Sequence, residues 1–122
     1  MERRLIDTNV LSFILKEDTR AARYLPHLTN RKLYIAFMTL AEIYHWMIKA
    51  NWNPAKVIRV RKSLKNYGML NYDDEVGWEW AKIVAIKGHP ISVGDAWIGA
   101  VAMRFELPWL PTIHQILHTS PH

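Results

Sequence analysis

Asp7, Glu42 and Asp95 are the residues of this chain whose type and placement can do chemistry. The apolar pair Leu5-Ile6 stops abruptly at Asp7, and the helical pattern Val10-Leu11-Ile14-Leu15 follows at once. A carboxylate just past a short buried strand sits at the carboxyl edge of a parallel sheet, where open α/β folds place their ligands. Glu42 falls in the first turn of the helix expected after a second strand, and Asp95 at the start of the last clear helical pattern. Clusters of oxygen ligands suit Mg²⁺ or Mn²⁺, ions that bind phosphate groups and whose bound water can attack a phosphodiester. Each acid also has a structural role open to it. Asp7 can cap the following helix, Glu42 can close the capping box Thr39-Leu40-Ala41-Glu42, and Asp95 can be a first-turn acid favoured by the helix dipole.

Composition narrows the chemistry. With 122 residues, half of them apolar or aromatic, the chain can bury one sizeable core, and a single domain is expected over residues 1–122, with 111–122 a polar tail of no clear element. The absence of cysteine removes thiolate metal sites and thiol catalysis, and leaves carboxylates and histidines as the strong ligands. No apolar run approaches the roughly 20 residues that span a bilayer, and the stretch after Glu2, Arg3 and Arg4 is too short for a signal peptide, so a cytoplasmic location without membrane contact is expected. The formal charge of +5 is concentrated, because the window from Ile43 to Tyr72 holds no acid. Lys56, Arg59 and Lys62 within it are candidates to meet a polyanion such as nucleic acid, against the plainer possibility of a solvated helix face. Among the 6 tryptophans, Trp46, Trp52 and Trp109 lie near polar or basic neighbours where a base can stack, although core or dimer packing is the expected role of most tryptophans here, and Trp97 is expected in the core.

The elements that must position the acids follow from periodicity. Arg3–Ile6 and Leu33–Phe37 are apolar enough for central strands, with short strands expected at 69–72 and near 107–110. Helical patterns run over Thr8–Leu15, over Thr19–Leu28 with a break near Pro26, from Thr39 to Ala50, from Pro54 to Tyr67 with a stop at Gly68, from the acids Asp73-Asp74-Glu75 to Gly88-His89-Pro90, and from Asp95 to Phe105. Strands separated by helices call for crossover connections, and so for a mainly parallel sheet.

Three strings also carry a family resemblance. Leu5-Ile6-Asp7-Thr8-Asn9-Val10-Leu11 resembles the "LLDTNVL" opening of PIN-domain ribonucleases, and Met38-Thr39-Leu40-Ala41-Glu42-Ile43 resembles their "ITLAEL" helix start. Pro90-Ile91-Ser92-Val93-Gly94-Asp95-Ala96-Trp97-Ile98-Gly99-Ala100 is similar to their "PISPADALIAA" segment. The strings stand in family order, from Arg3 to about Leu110.

The resemblance implies a three-layer α/β/α domain with a mainly parallel central sheet, and metal-dependent cleavage of RNA. Carried over, Asp7, Glu42 and Asp95 are the catalytic metal ligands for Mg²⁺ or Mn²⁺, with Thr8, Asn9, Thr39 and Thr112 supporting them. It further implies a VapC-type toxin, held inactive by an antitoxin protein and commonly a homodimer. The chain departs from the pattern in one respect that bears on activity. The family's fourth acid, in a "VTRNxxDF" type segment after "GLPL", has no counterpart here, since Pro111-Thr112-Ile113-His114-Gln115-Ile116-Leu117-His118 contains none. His114 and His118, four apart, can share a helical face, but histidine is a poor ligand for Mg²⁺. A smaller departure is Ala36, where the family often has serine. The rival expectation is therefore a catalytically weakened PIN-like module that binds RNA or a protein.

Overall fold

The computed structural model describes residues 2–17, 19–86 and 91–110. β1 (Glu2–Ile6) and β2 (Arg31–Ala36) form the centre of a four-stranded sheet, with β3 (Gly68–Leu70) outside β2 and β4 (Trp109–Leu110) outside β1. Every pairing is parallel: Leu5 lies opposite Tyr34 and also Trp109, and Ala36 opposite Leu70. All four strands therefore end on the same edge. The helices are α1 (Thr8–Leu15), α2 (Leu25–Leu28), α3 (Phe37–Lys49), α4 (Pro54–Leu64), α5 (Asp74–Val84) and α6 (Val93–Phe105), with a 3₁₀ turn at Thr19–Arg23.

Alternation along the strands divides the core. Ile6 and Ile35 point to one face, where they meet Val10 and Leu11 of α1, Ile43 and Met47 of α3, and Val60 and Leu64 of α4. Leu5 and Ala36 point to the other, where they meet Val76 of α5, Ile98 and Val101 of α6, and Trp109. A helix layer on each face of a parallel sheet gives the expected three-layer α/β/α arrangement. None of the helices among the described residues is long and apolar enough to cross a membrane.

Several boundaries differ from those expected from periodicity; α6, for one, starts at Val93, two residues before Asp95. Phe37 is the first residue of α3 rather than the last of β2, so α3 starts two residues before Thr39, and its N-cap Ala36 supplies no side-chain hydrogen bond. Thr39 and Glu42 are thus not a capping box, and Glu42 stands in the second turn. α4 ends at Leu64, because Lys65, Asn66 and Tyr67 donate to carbonyls three residues back and tighten the chain into a turn toward β3. Gly68 is consequently the first residue of β3, not a helix stop. The break within 19–28 falls at Tyr24, with Pro26 in the first turn of α2, where its missing N–H costs nothing. The expected close of α5 at Gly88-His89-Pro90 and the tail 111–122, with Thr112, His114, His118 and the absent fourth acid, lie outside the described residues.

Gly68 has a packing reason. A Cβ there would come within 2.4 Å of the ring of Tyr34, its partner across the β2–β3 pair. Gly68→Ala is expected to displace that ring and destabilise the protein by about 1–3 kcal/mol in urea unfolding; an unchanged midpoint would show that the ring is not held over β3.

Candidate active site

Because β1 and β2 run the same way, the residues that leave them emerge at one edge of the sheet. Asp7 follows β1 directly and is 1% exposed. It is also the N-cap of α1, its Oδ1 accepting from the Val10 amide at 2.8 Å. Capping and ligation are not alternatives here, because the cap fixes Oδ1 and with it the orientation of the whole carboxylate.

Thr8, the first residue of α1, is buried and connects Asp7's helix to α3. Its hydroxyl donates to Glu42 Oε1 at 2.9 Å and lies 3.0 Å from the hydroxyl of Thr39. A hydroxyl has one hydrogen. With the Thr8 proton directed at Glu42, the fully buried Thr39 must donate to Thr8, and the order is Thr39 to Thr8 to Glu42. The third acid comes from the opposite helix layer. Ser92 caps α6 by accepting from the Asp95 amide at 3.1 Å, which places Asp95 in the first turn. Its neighbour Gly94 leaves room for Glu42: a Cβ on Gly94 would stand 3.3 Å from both carboxylate oxygens.

The electrostatics show that these acids share one region. Glu42 holds its proton more tightly than an ordinary glutamate, first because burial penalises its charge, and further because Asp95 and Asp7 repel it; the Thr8 hydrogen bond works in the opposite direction. A hard cation would relieve that repulsion, so the donor set fits Mg²⁺ or Mn²⁺. Among the described residues no three of the acids and histidines stand close enough to hold a metal unaided.

The other expected residues are placed less centrally. Asn9 is exposed in the first turn of α1 and makes no side-chain hydrogen bond among the described residues. Arg59 and Lys62 are exposed on α4, while Lys56 sits 3.9 Å over the Trp52 ring. Trp46 is likewise covered by Lys16, at 5.3 Å. Trp109 is 5% exposed and belongs to the core, so it offers no face for a base; pairing of β4 with Leu5 buries it. Trp97 packs against the core as expected. Two contributors escaped the sequence reading, Ser92 and Gly94, and the only signal for them was two small residues just before an acid.

A PIN-domain family profile matches residues 4–113. Solved structures of similar fold include VapBC-1 from nontypeable Haemophilus influenzae (TM-score 0.76, 18% identity, 95% of this chain and 90% of that one). VapBC2 from Rickettsia felis, bound to a DNA fragment from the promoter, aligns with TM-score 0.73 at 16% identity over 88% of this chain and 84% of that one. FitAcB from Neisseria gonorrhoeae aligns with TM-score 0.68 at 25% identity over 86% and 84%. No curated protein matches the sequence significantly.

The raised proton affinity of Glu42 has a measurable sign. The folded chain binds this proton more tightly than the unfolded one, so Glu42 favours folding at low pH and costs stability as pH rises from its ordinary value of 4.5 through the raised one. In EDTA, Glu42→Gln, which keeps the acceptor for Thr8, is expected to unfold at a higher temperature than wild type at neutral pH, the two converging below about pH 4. Parallel curves at all pH values would contradict the shared acidic region.

Proposed function

The chain belongs to the PIN-domain family, and on that footing we propose that it is a metal-dependent endoribonuclease, the toxin of a toxin–antitoxin pair, with Asp7, Glu42 and Asp95 as its catalytic acids. What supports this reading is the geometry around Glu42, which accepts from Thr8 of α1 at 2.9 Å while Gly94, next to Asp95 on α6, leaves room for its carboxylate; repulsion from Asp95 and Asp7 adds to the burial that raises its proton affinity. The family is generally nucleolytic, and the solved structures of similar fold include a toxin-antitoxin complex from Klebsiella pneumoniae, with TM-score 0.70 and 21% identity. An antitoxin protein as partner, a cytoplasmic location and a homodimer belong to the same proposal.

Asp7, Glu42 and Asp95 would hold Mg²⁺ or Mn²⁺ directly or through water, and the ion would supply a polarised water and neutralise charge on the scissile phosphate. The protein's own part is orientation. The Val10 amide fixes Asp7, the paired hydroxyls of Thr39 and Thr8 fix Oε1 of Glu42, and the Ser92 cap fixes the first turn that carries Asp95. Thr8 and Thr39 are therefore positioning residues, while Arg59 and Lys62 on the exposed face of α4, with Lys56, offer charge for an RNA backbone. A second reading, a weakened module that binds RNA or protein without cutting, draws on the absence of a ready three-ligand group among the described residues.

Cleavage of a panel of unstructured RNAs with Mg²⁺ or Mn²⁺ separates the two. Wild type is expected to cut, Thr8→Val to be slower by about 10- to 100-fold, the usual cost of removing a group that orients a ligand, and Asp7→Asn to be slower still. Equal cleavage by wild type and Asp7→Asn would remove the catalytic assignment, and binding without cleavage by wild type would favour the second reading.

A further inference from the structure

The first two turns of α5, with Tyr72 before them and Trp97 of α6, frame a cleft of about 520 Å³ that the acidic site does not use. Its walls are aromatic. Trp80 and Trp97 stack with ring centroids 4.9 Å apart, Tyr72 meets Trp97 edge-on at 6.0 Å, and Trp78 stands 62% exposed at the rim. Tyr72, itself 57% exposed, lines the same cleft, so the exposed rings form one aromatic patch and not a lone side chain.

Charge around the cleft is arranged unlike the rest of the molecule. Of the acids at α5, Asp73 is paired with Arg104 and Glu79 with Lys82, each at 2.9 Å. Asp74 and Glu75, the two that line the cleft, are exposed and make no ion pair among the described residues. Elsewhere this basic chain lays its own cations over aromatic rings: Lys56 over Trp52, Lys16 over Trp46, Arg61 over Tyr44 and Arg104 over Phe105. No cation of the described residues covers Tyr72, Trp78, Trp80 or Trp97. The rings best supplied with neighbouring negative charge are thus the ones left uncovered.

The geometry points to a guanidinium site: we infer that this cleft receives an arginine side chain from a protein partner, its plane against the exposed tryptophan face and its N–H groups on Asp74 and Glu75. Arginine suits such a place better than lysine, because a flat, weakly hydrated cation stacks on an indole and forks onto a carboxylate together. An RNA strand is disfavoured, because two uncompensated carboxylates repel its phosphates. The site is separate from Asp7, Glu42 and Asp95 and does not depend on the chain being a nuclease.

The full chain, labelled with ¹⁵N, carries 6 indole N–H groups that report the site directly. Titration with acetyl-Gly-Arg-Gly-amide is expected to shift the indoles of Trp78, Trp80 and Trp97, while the citrulline peptide, equal in shape but uncharged, binds at least about fivefold more weakly. Trp78→Ala and the pair Asp74→Asn, Glu75→Gln should each remove that preference, and Asp7→Asn should leave it unchanged. Equal binding of the citrulline peptide, no shift at these indoles, a preference lost with Asp7→Asn, or a single-stranded oligoribonucleotide that moves the same signals more strongly than the arginine peptide would each overturn the inference.

Discussion

Like charges brought together out of water are costly unless something of opposite sign joins them, and that cost organises this molecule. Asp7 is buried, Glu42 is half-buried and pressed by the charges of Asp95 and Asp7, and Asp95 arrives on a helix from the opposite layer. The fold bears this burden because the surrounding groups are fixed independently. Asp7 is held by the α1 amide it caps, Glu42 by a hydroxyl whose own proton is supplied by a second hydroxyl, and Asp95 by the Ser92 cap.

The parallel sheet is what allows three distant stretches to meet. With every strand pointing the same way, α1 and α3 must begin at the same edge, and their first turns are brought side by side. Alternation then assigns Ile6 and Ile35 to one helix layer and Leu5 and Ala36 to the other, so that the sheet is clamped from both faces just below the acids. Thr8 and Thr39 lie at that junction, both buried, and they are the polar contact by which α1 and α3 fix their separation. Gly94 completes the arrangement from the α6 side by its lack of a side chain.

Most of this was legible in the sequence, for physical reasons that also mark where legibility stops. β1 and α1 were clear because an apolar pair ending at Asp7 and a helical stripe are both strong local patterns. The roles of Thr39 and Glu42 were obscured because a capping box and a cross-helix hydrogen-bond chain use the same residue types. Which one forms depends on where β2 ends, and the apolar Phe37 suits a strand and a helix equally. Trp109 was ambiguous for a related reason, since neighbours in sequence said nothing of its pairing with Leu5. Gly94 could not have been found by pattern, because its contribution is space for a carboxylate some fifty positions earlier. The strings that resemble the PIN family located the three acids together, and no single one of them distinguished a ligand from a cap.

On the proposed function, Asp7, Glu42 and Asp95 form one electrostatic unit able to hold a divalent cation. Carboxyl ¹³C NMR titration of Glu42 in metal-free protein tests it most directly, comparing wild type with Asp7→Asn and Asp95→Asn. Glu42 should titrate above the ordinary glutamate range, move down when either aspartate is neutralised, and move down further when Mg²⁺ is added to wild type. A Glu42 that titrates as a free glutamate, unmoved by either substitution or by the ion, would contradict the account.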